Sequence, residues 1–384
     1  MTPSKFLVIA VLGFFAGTAL TFIIPLSLFG IGILVTCLIV ASLISGMFES
    51  TKGWAVTLFG CALLLGIMRT FFPGVAAGFD GFEYAGRVQE FFVSRIEATI
   101  PGDEAAIFSA MVLGYEEHLS THLKEAFNRT GTRHILAISG MNMTIVAALV
   151  INVLVTIGLW RRKAFYATLF ILAAYTLLIG LPPSAVRASI MAALYLLAYH
   201  VGRPVQVWRM LLVAGALMVL VHPAIISSLS FQLSFLAVLG IAFFKEFFDA
   251  VLRWLPMAWL RELLSMSLAA QVATLPLIAY TFENVSVIGI IANIVVVPAL
   301  PLIMILGLGF LTIGWAHEIL APLFLWPAWV LLHVVSGAVE WFSSLSFAAI
   351  SISWFGLGGF ILYYELLLAL YLFFMRRYAH DHPA

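Results

Sequence analysis

The sequence predicts an all-α polytopic integral membrane protein with about 10–12 transmembrane helices and an extracytoplasmic helical loop. Of its 384 residues, 63% are hydrophobic and only 10% are charged, whereas soluble domains average about 45–50% apolar and about 25% charged residues. Apolar runs of about 20 residues, the length that crosses a bilayer as a helix, recur along the whole chain. A transmembrane barrel would instead show short segments of alternating hydrophobicity, and the sequence contains none.

About twelve candidate spans follow one another, with boundaries that hold to within several residues. The first is followed at once by a second and is longer than a usual signal-peptide core, which predicts an uncleaved anchor. Span 208–221 is short and span 285–312 contains Pro298 and Pro301, so either can be kinked, broken or re-entrant. The candidate spans are 6–25, 28–47, 54–69, 143–160, 164–181, 185–201, 208–221, 231–248, 263–281, 285–312, 320–342 and 347–375.

Basic residues predict the orientation. If the amino terminus is cytoplasmic, the short outer loops near residues 26, 182, 223, 283 and 345 contain no Lys or Arg. Because cytoplasmic loops carry the excess of positive charge, this orientation is favoured, with both termini inside and an even number of spans. The basic residues on the inner side are then Lys5, Lys52, Arg161, Arg162, Lys163, Arg203, Arg209, Lys245, Arg253, Arg261, Arg376 and Arg377.

Three regions follow from this pattern: amino-terminal transmembrane helices over 1–69, an extracytoplasmic loop over 70–130, and a transmembrane core over 131–384. The loop and its end near Arg133 carry nine of the 18 acidic residues. Apolar residues at helical spacing between Phe82 and Ile100 predict an amphipathic helix on the membrane surface. The stretch "PGDEAAIFSAMVLG" predicts a second helix with acidic residues in its first turn. The alternative is a solvated connector packed on the outer face.

Several classes of function lack their sequence signatures. The chain contains no G-x-x-x-x-G-K-[ST], the loop that P-loop enzymes use to bind nucleotides. Cys37 and Cys61 both fall within candidate spans, which is not the pattern of a disulfide framework or a zinc site. His118 and His122 have a spacing that metals use, but no third ligand accompanies them, so we interpret them as surface residues.

Three spans that run from outside to inside begin with polar clusters at the same outer level. "TRHILAISGMNMT" contributes His134, Ser139, Gly140 and Asn142; "LPPSAVRAS" contributes Ser184, Arg187 and Ser189; and "HPAIISSLSFQLSF" contributes His222, Ser230, Gln232 and Ser234. The amino terminus of a helix presents free N–H groups and a positive dipole end, which favour anions and phosphates in particular. Transporters of anionic substrates use helix ends in the same way.

Arg187 is the most informative residue of these clusters, because its charged side chain lies about one turn inside a candidate span. An unpaired cation costs roughly 2.5–3.5 kcal/mol at the bilayer centre on insertion scales, and less near the edge. Glu283 and Glu365 are candidate partners, and a snorkelling or structurally paired arginine is the alternative to a role in a transport pathway. Ser139 and Ser184 have an equally ordinary interpretation as helix N-caps. His333 and Glu340 lie on one helix face, which predicts a structural pair with Ser336 between them.

The stretches "HILAISGMNMTIVAALV", "LPPSAVRASIMAALYLLA" and "HPAIISSLSFQLSFLAVLGI" resemble the three signature stretches of the ComEC competence family, in the family's order and spacing. The similar region runs from about Ala105 to Trp341. The resemblance implies a competence-type channel core over 131–384 that takes up single-stranded DNA across the bacterial inner (plasma) membrane during natural transformation. The residues it implies for the DNA-translocation pore are His134, Ser139, Gly140, Asn142, Ser184, Arg187, Gln232 and Ser234.

The chain departs from the larger members of that family in two ways. About 60 residues stand where those members carry an OB-fold, and they lack the alternating strands of a small barrel. No H-x-H-x-D-H occurs, which those members carry in a metallo-β-lactamase-like domain. The sequence is therefore expected to be a minimal, channel-only form without a cofactor. The resemblance implies an extracytoplasmic DNA receptor, a cytoplasmic DNA-translocating ATPase and a separate nuclease as partners.

Two other classes of function remain open from the sequence. A secondary transporter of a small anionic solute would use the same helix ends and Arg187. An intramembrane serine hydrolase would use Ser139 as nucleophile with His134 or His222 as base, since His200 falls at the opposite membrane face. No oxyanion-hole signature accompanies Ser139, so we predict a protein without catalysis of its own.

Overall fold

The computed structural model describes residues 81–202, 206–317, 319–352 and 354–381, with a few more between 9 and 16. The predicted spans 28–47 and 54–69 lie outside the described residues, as does most of 6–25. Within the described ranges the protein is almost entirely helical. The helices of its first half are α1 (Gly81–Thr99), α2 (Asp103–Leu113), α3 (Thr121–Arg129), α4 (Arg133–Leu136), α5 (Gly140–Thr156), α6 (Arg161–Leu178), α7 (Pro183–Val201) and α8 (Val207–Val221).

The second half continues the helical pattern and adds two short strands, β1 (Asn284–Ser286) and β2 (Ala349–Ser351), which pair antiparallel. Its helices are α9 (Leu229–Val251), α10 (Ala258–Phe282), α11 (Gly289–Val296), α12 (Leu300–Thr312), α13 (Leu320–Ser343) and α14 (Leu357–Asp381). Among the residues that the structure describes, four segments are long and apolar enough to cross a membrane: Arg133–Thr156, Ala258–Phe282, Gly289–Thr312 and Leu320–Ser343. The predicted fold class, an all-α polytopic membrane protein, is thereby confirmed; the total of about 10–12 spans stays a prediction.

The chain divides into two compact units. The first comprises Met1–Val88 and Ala147–Ser234, and in its described part α7 packs between α6 and α8. The second comprises Gln89–Val146 and Phe235–Ala384, and is built around the hairpin of α12 and α13. The polar residues at 134–142 lie in the second unit, and those at 184–234 lie in the first.

Proline positions explain where several helices stop and start. After α6, Gly180 and Leu181 adopt left-handed backbone angles (φ 79° and 55°), and α7 begins at Pro183. Proline is favoured at the first helical position because its missing N–H has no partner there in any case. The sequence left open whether 285–312 is kinked, broken or re-entrant; in the structure a 3₁₀ turn over Val297–Ala299, containing Pro298, lies between α11 and α12, and Gly289–Thr312 together is long enough to cross a membrane.

Helix α2 is part of the core rather than a solvated connector. All residues from Ala105 to Leu113 are buried, and the helix packs against α12 and α13. Val112 lies over Gly307 of α12, where an added Cβ would come within 2.6 Å of its Cγ2. The sequence predicted this helix but not its burial, because the apolar stretch that follows Asp103 and Glu104 does not itself indicate which surface it packs against.

The apolar face of the predicted amphipathic helix, α1, also contacts protein. Ile96 and Ile100 are buried, while the Phe92 ring lies edge-on to Phe310 and Trp315 at centroid distances of 6.2 and 6.3 Å. At the opposite end of the α12–α13 hairpin, β1 and β2 join the loops that follow α10 and α13. The second unit thus has a continuous core along the whole length of α13.

Candidate functional site

The eight predicted pore residues fall into two groups, one in each unit. The Ser139 cluster comprises His134, Ser139, Gly140 and Asn142, all in the second unit. The Arg187 cluster comprises Ser184, Arg187, Gln232 and Ser234, all in the first unit. The two clusters differ in their hydrogen bonds: Ser139 and Asn142 bond to each other and to a backbone carbonyl, whereas Arg187 donates to Ser234.

Ser139 caps the amino terminus of α5. Its Oγ accepts a hydrogen bond from the backbone N–H of Asn142 at 3.3 Å, and its carbonyl accepts the first intrahelical bond from Met143 at 3.3 Å. Serine is favoured at this position because its side chain satisfies a helix N–H that has no partner in the helix. The interpretation of Ser139 as an N-cap, which the sequence left open, is confirmed.

Asn142 links that cap to a second helix. It is only 1% exposed, its Oδ1 accepts from the Ser139 hydroxyl at 3.2 Å, and its Nδ2 donates to the carbonyl of Met111 at 3.4 Å. Met111 lies in the last turn of α2, where backbone carbonyls have no partner within the helix. Asn142 therefore satisfies the end of α2 and the start of α5 together.

The remaining members of the Ser139 cluster lie at the edge of this arrangement. His134 is exposed on the short helix α4, and its Nδ1 lies 3.2 Å from the carbonyl oxygen of Gly131. Gly140 is half-buried as the first residue of α5. The Ser139 hydroxyl bonds to Asn142 and His134 bonds to the backbone, so the described contacts of these two residues do not form the serine–base pair of a hydrolase.

Ser184 does not cap α7. The helix begins at Pro183, and the carbonyl of Pro182 accepts hydrogen bonds from Ala185 and Val186 at 3.0 Å each. Ser184 is thus the second residue of the helix, half-buried, and its interpretation as an N-cap is wrong. The reason is local: proline at the first helical position places the cap at Pro182, two residues before Ser184.

Arg187 is the most unusual residue in the first unit. Only 5% of it is exposed, and its Nη1 donates hydrogen bonds to both the carbonyl oxygen and the hydroxyl of Ser234. Among the described residues, its buried Nε has no hydrogen-bond partner. Across the part of the chain that the structure describes, no carboxylate forms an ion pair with it. A buried guanidinium held only by neutral oxygens keeps its positive charge uncompensated.

The neighbours of Arg187 are held by neutral hydrogen bonds. On another face of α7, Ser189 shares a 2.7 Å hydrogen bond with the buried Thr176 of α6. At the start of α9, Gln232 donates to the carbonyl of Ile226 at 3.0 Å. Ser228 caps α9 by accepting from the N–H of Phe231 at 3.2 Å. The sequence analysis missed Ser228, although a serine directly before an apolar run is the usual signal for a cap.

One polar pair was assigned to the wrong partner by the sequence analysis. His333 of α13 pairs with Glu104 of α2, with Nδ1 and Oε1 2.7 Å apart, and stacks on Trp329 at a centroid distance of 5.1 Å. Ser336 donates to the carbonyl of His333, so the expected bridge to Glu340 does not form. The pairing with Glu104 depends on the burial of α2 against α13, which nothing in the sequence of α13 indicates.

His118, which the sequence analysis interpreted as a surface residue, is exposed. His118 lies with its Nδ1 2.5 Å from Oε1 of Glu97, and both side chains are exposed. Within the described ranges, no three His, Cys, Asp or Glu side chains come together as a metal ion would need. The Arg187 cluster is therefore the strongest candidate site that these residues offer, and the ligand it suits is an anion.

Comparison with known proteins gives one family and two curated relatives. A family model described as Competence protein matches residues 111–377. The chain is 28% identical over 211 residues to ComE operon protein 3 of Bacillus subtilis (strain 168), which covers 55% of this chain and 26% of that protein. It is 26% identical over 204 residues to Uncharacterized protein YcaI of Escherichia coli (strain K12), covering 50% and 27%. The match spans about a quarter of the length of each relative. No solved structure matches the chain.

Proposed function

This chain belongs to the Competence protein family, and we propose that it is an inner-membrane channel through which single-stranded DNA enters during natural transformation. The proposal places the protein in the bacterial inner (plasma) membrane with both termini in the cytoplasm. It assigns the channel to the family-matched core and gives the chain no catalysis of its own.

The observation that carries this proposal is the state of Arg187. Its guanidinium is buried in an apolar helix, is anchored by Ser234, and has no carboxylate partner within the described ranges. A protein that needed only a structural link at this point would gain more from apolar packing or from a matched ion pair. An uncompensated positive charge is useful where an anion passes, and single-stranded DNA is a polyanion.

The other proposed pore residues suit a conduit that must release what it binds. They offer hydroxyl, amide and imidazole groups in place of a dense field of positive charge, so each contact with the strand is weak. Conduction requires binding that is favourable enough to admit a strand and weak enough to let it leave. Sequence-tolerant contacts of this kind are also what a channel for arbitrary DNA needs.

Partners are part of the proposal. The region that this chain matches covers about a quarter of the length of each relative. We propose an extracytoplasmic DNA receptor, a cytoplasmic DNA-translocating ATPase that pulls the strand, and a separate nuclease as the proteins that work with it.

A deletion and complementation assay tests the function directly. Cells lacking the gene are expected to bind labelled DNA at their surface but not to internalise it, and the wild-type gene is expected to restore entry. Arg187→Ala is expected to fail to restore entry at normal protein levels. The matched control is Arg162→Ala, which removes an exposed arginine from the same unit. Undiminished DNA entry in the deletion strain would rule out the channel.

A secondary transporter of a small anionic solute is the second candidate. It is favoured by the small number of positive charges near Arg187, since a groove for nucleic acid usually carries more. Purified protein in liposomes distinguishes the two: counterflow of a small anion without passage of DNA supports the transporter. Gene-dependent DNA entry in cells together with no counterflow supports the channel.

A further inference from the structure

We propose that Arg187 contacts the phosphodiester oxygens of the translocating strand, and that Ser234 is the positioning residue that turns its guanidinium toward them. This inference rests on the proposed function and specifies which part of the DNA the site recognises. The phosphate group, rather than a base, is the moiety that this site is built to bind.

The first step is the geometry of the guanidinium. A guanidinium has one edge formed by Nε and Nη2 and carries Nη1 on the other side, and the Nε edge is a fork that matches two phosphate oxygens. Ser234 engages Nη1 with two oxygens, its carbonyl and its hydroxyl. The Nε atom is buried and has no acceptor. The fork edge is therefore left with an unsatisfied donor.

The second step is the charge. A base edge can accept two hydrogen bonds from arginine, as guanine does, but guanine is neutral and would leave the buried charge uncompensated. A phosphodiester supplies both the acceptor for Nε and the opposite charge, and charge-assisted bonds of this kind are the strong ones. Each nucleotide carries the same phosphate, so contact with it is independent of sequence.

The third step is rigidity. The helix that carries Arg187 is fixed on one face by the bond from Ser189 to Thr176 and on another by the contact with Ser234. Thr176 is buried, so α6 and α7 hold this bond away from solvent. A long arginine side chain usually loses rotamer freedom on binding a ligand. Here Ser234 has already removed that freedom, which favours binding without making each contact tight.

Three fluorescent oligonucleotides of equal length separate phosphate contact from base contact: a standard strand, an abasic strand that keeps its phosphates, and a methylphosphonate strand whose backbone is neutral. Binding to the purified full-length protein in detergent is measured for each. The wild type is expected to bind the standard and abasic strands with similar affinity, and the methylphosphonate strand roughly 10- to 100-fold more weakly.

Variants of Arg187 and Ser234 form the second part of the binding experiment. Arg187→Gln is expected to weaken binding of the standard and abasic strands by roughly 10-fold or more and to leave the methylphosphonate strand unchanged. It should also reduce the slope of log affinity against log salt by about 0.7, the change for one lost phosphate contact on a single strand. Ser234→Ala should fall between wild type and Arg187→Gln, while Arg162→Gln should match the wild type.

Other outcomes overturn the proposal. If abasic strands lose affinity and methylphosphonate strands keep it, Arg187 contacts bases. Arg187→Gln could instead leave both the salt slope and the difference in affinity between standard and methylphosphonate strands unchanged. If the same variant loses a copurified anionic lipid that native mass spectrometry detects in the wild type, the phosphate that Arg187 binds belongs to a lipid headgroup. No binding of any strand also overturns it. In each case gene-dependent DNA entry in cells would leave the channel function standing, whereas gene-independent entry would remove that function as well.

Discussion

The Ser139 cluster and the Arg187 cluster begin from the same kind of sequence, a few polar residues where an apolar helix starts, but they are satisfied to different degrees. In the Ser139 cluster, the hydroxyl and amide groups of Ser139 and Asn142 bond to each other and to the carbonyl of Met111. In the Arg187 cluster, a buried charge is held by a neutral serine, and its Nε has no partner.

This difference separates a structural role from a functional one. A hydrogen-bond network that is complete gains little from a ligand, and removing one member leaves a buried group unpaired. A buried charge that is incompletely satisfied destabilises the resting protein, and it persists only if something else selects for it. The residues of both clusters stay predicted pore residues. The hydrogen bonds of Ser139 and Asn142 also have a structural role that does not depend on a pore.

The largest contrast is expected from Arg187→Met, which replaces the buried charge with an apolar side chain of similar length. Such replacements are often neutral or stabilising by about 1–4 kcal/mol, so thermal unfolding in detergent should occur at the same temperature as in the wild type or higher. DNA internalisation should fall by roughly 100-fold, because the anion contact is lost. A variant that unfolds at a lower temperature would show that Arg187 is structural after all.

The next largest effect is expected from Asn142→Ala, and it should be an effect on stability. The change leaves the buried carbonyl of Met111 without its donor and the Ser139 hydroxyl without its acceptor, while Ser139 still accepts from the backbone N–H of residue 142; an unpaired buried polar group costs about 1–3 kcal/mol. Because a single weak contact with the strand adds little to transport, internalisation should fall mainly in proportion to the amount of folded protein, measured by size-exclusion chromatography after heating. Asn152→Ala on the exposed face of the same helix is the control and should unfold as the wild type does. A selective loss of uptake at full stability would place Asn142 in the pathway instead.

The smallest effects are expected from the two helix caps. Ser139→Ala and Ser228→Ala each remove one cap bond and should lower the free energy of unfolding by about 1 kcal/mol. Ser139→Asn should recover most of the loss, since asparagine is an equally good cap. Ser230→Ala, an exposed serine in the first turn of α9, is the matched control. Equal stability of the cap variants and the control would mean that these hydroxyls contribute nothing to their helices.

Much of the local structure could be predicted from the sequence because local structure depends on near neighbours. The runs of apolar residues predicted the membrane helices, and Pro298 and Pro301 marked the span in which a 3₁₀ turn lies between α11 and α12. Ser184 shows how precise such arguments are, since the helix begins two positions earlier than a cap at Ser184 requires, and this removed its role as a cap. The three signature stretches predicted the family, which the match over residues 111–377 confirms.

The partners of the site residues could not be predicted in the same way. Arg187 bonds to a serine 47 positions away, Asn142 to a carbonyl 31 positions away, and His333 to a glutamate 229 positions away. The sequence suggested Glu283, Glu365 and Glu340 as acidic partners because it could only search by charge and depth. Which side chains meet depends on which helix faces pack together, and an apolar face can pack against almost any other.

The sequence by itself therefore determined that this protein is helical and membrane-spanning, and that it belongs to the competence proteins. Those properties follow from the hydrophobicity of consecutive residues and from short motifs, which act over one or two helical turns. Only the tertiary structure decided that α2 is buried, that Asn142 closes a network, and that Arg187 is left with an unmatched charge. Burial and pairing are properties of contacts between distant segments, so they exist only once the helices have packed.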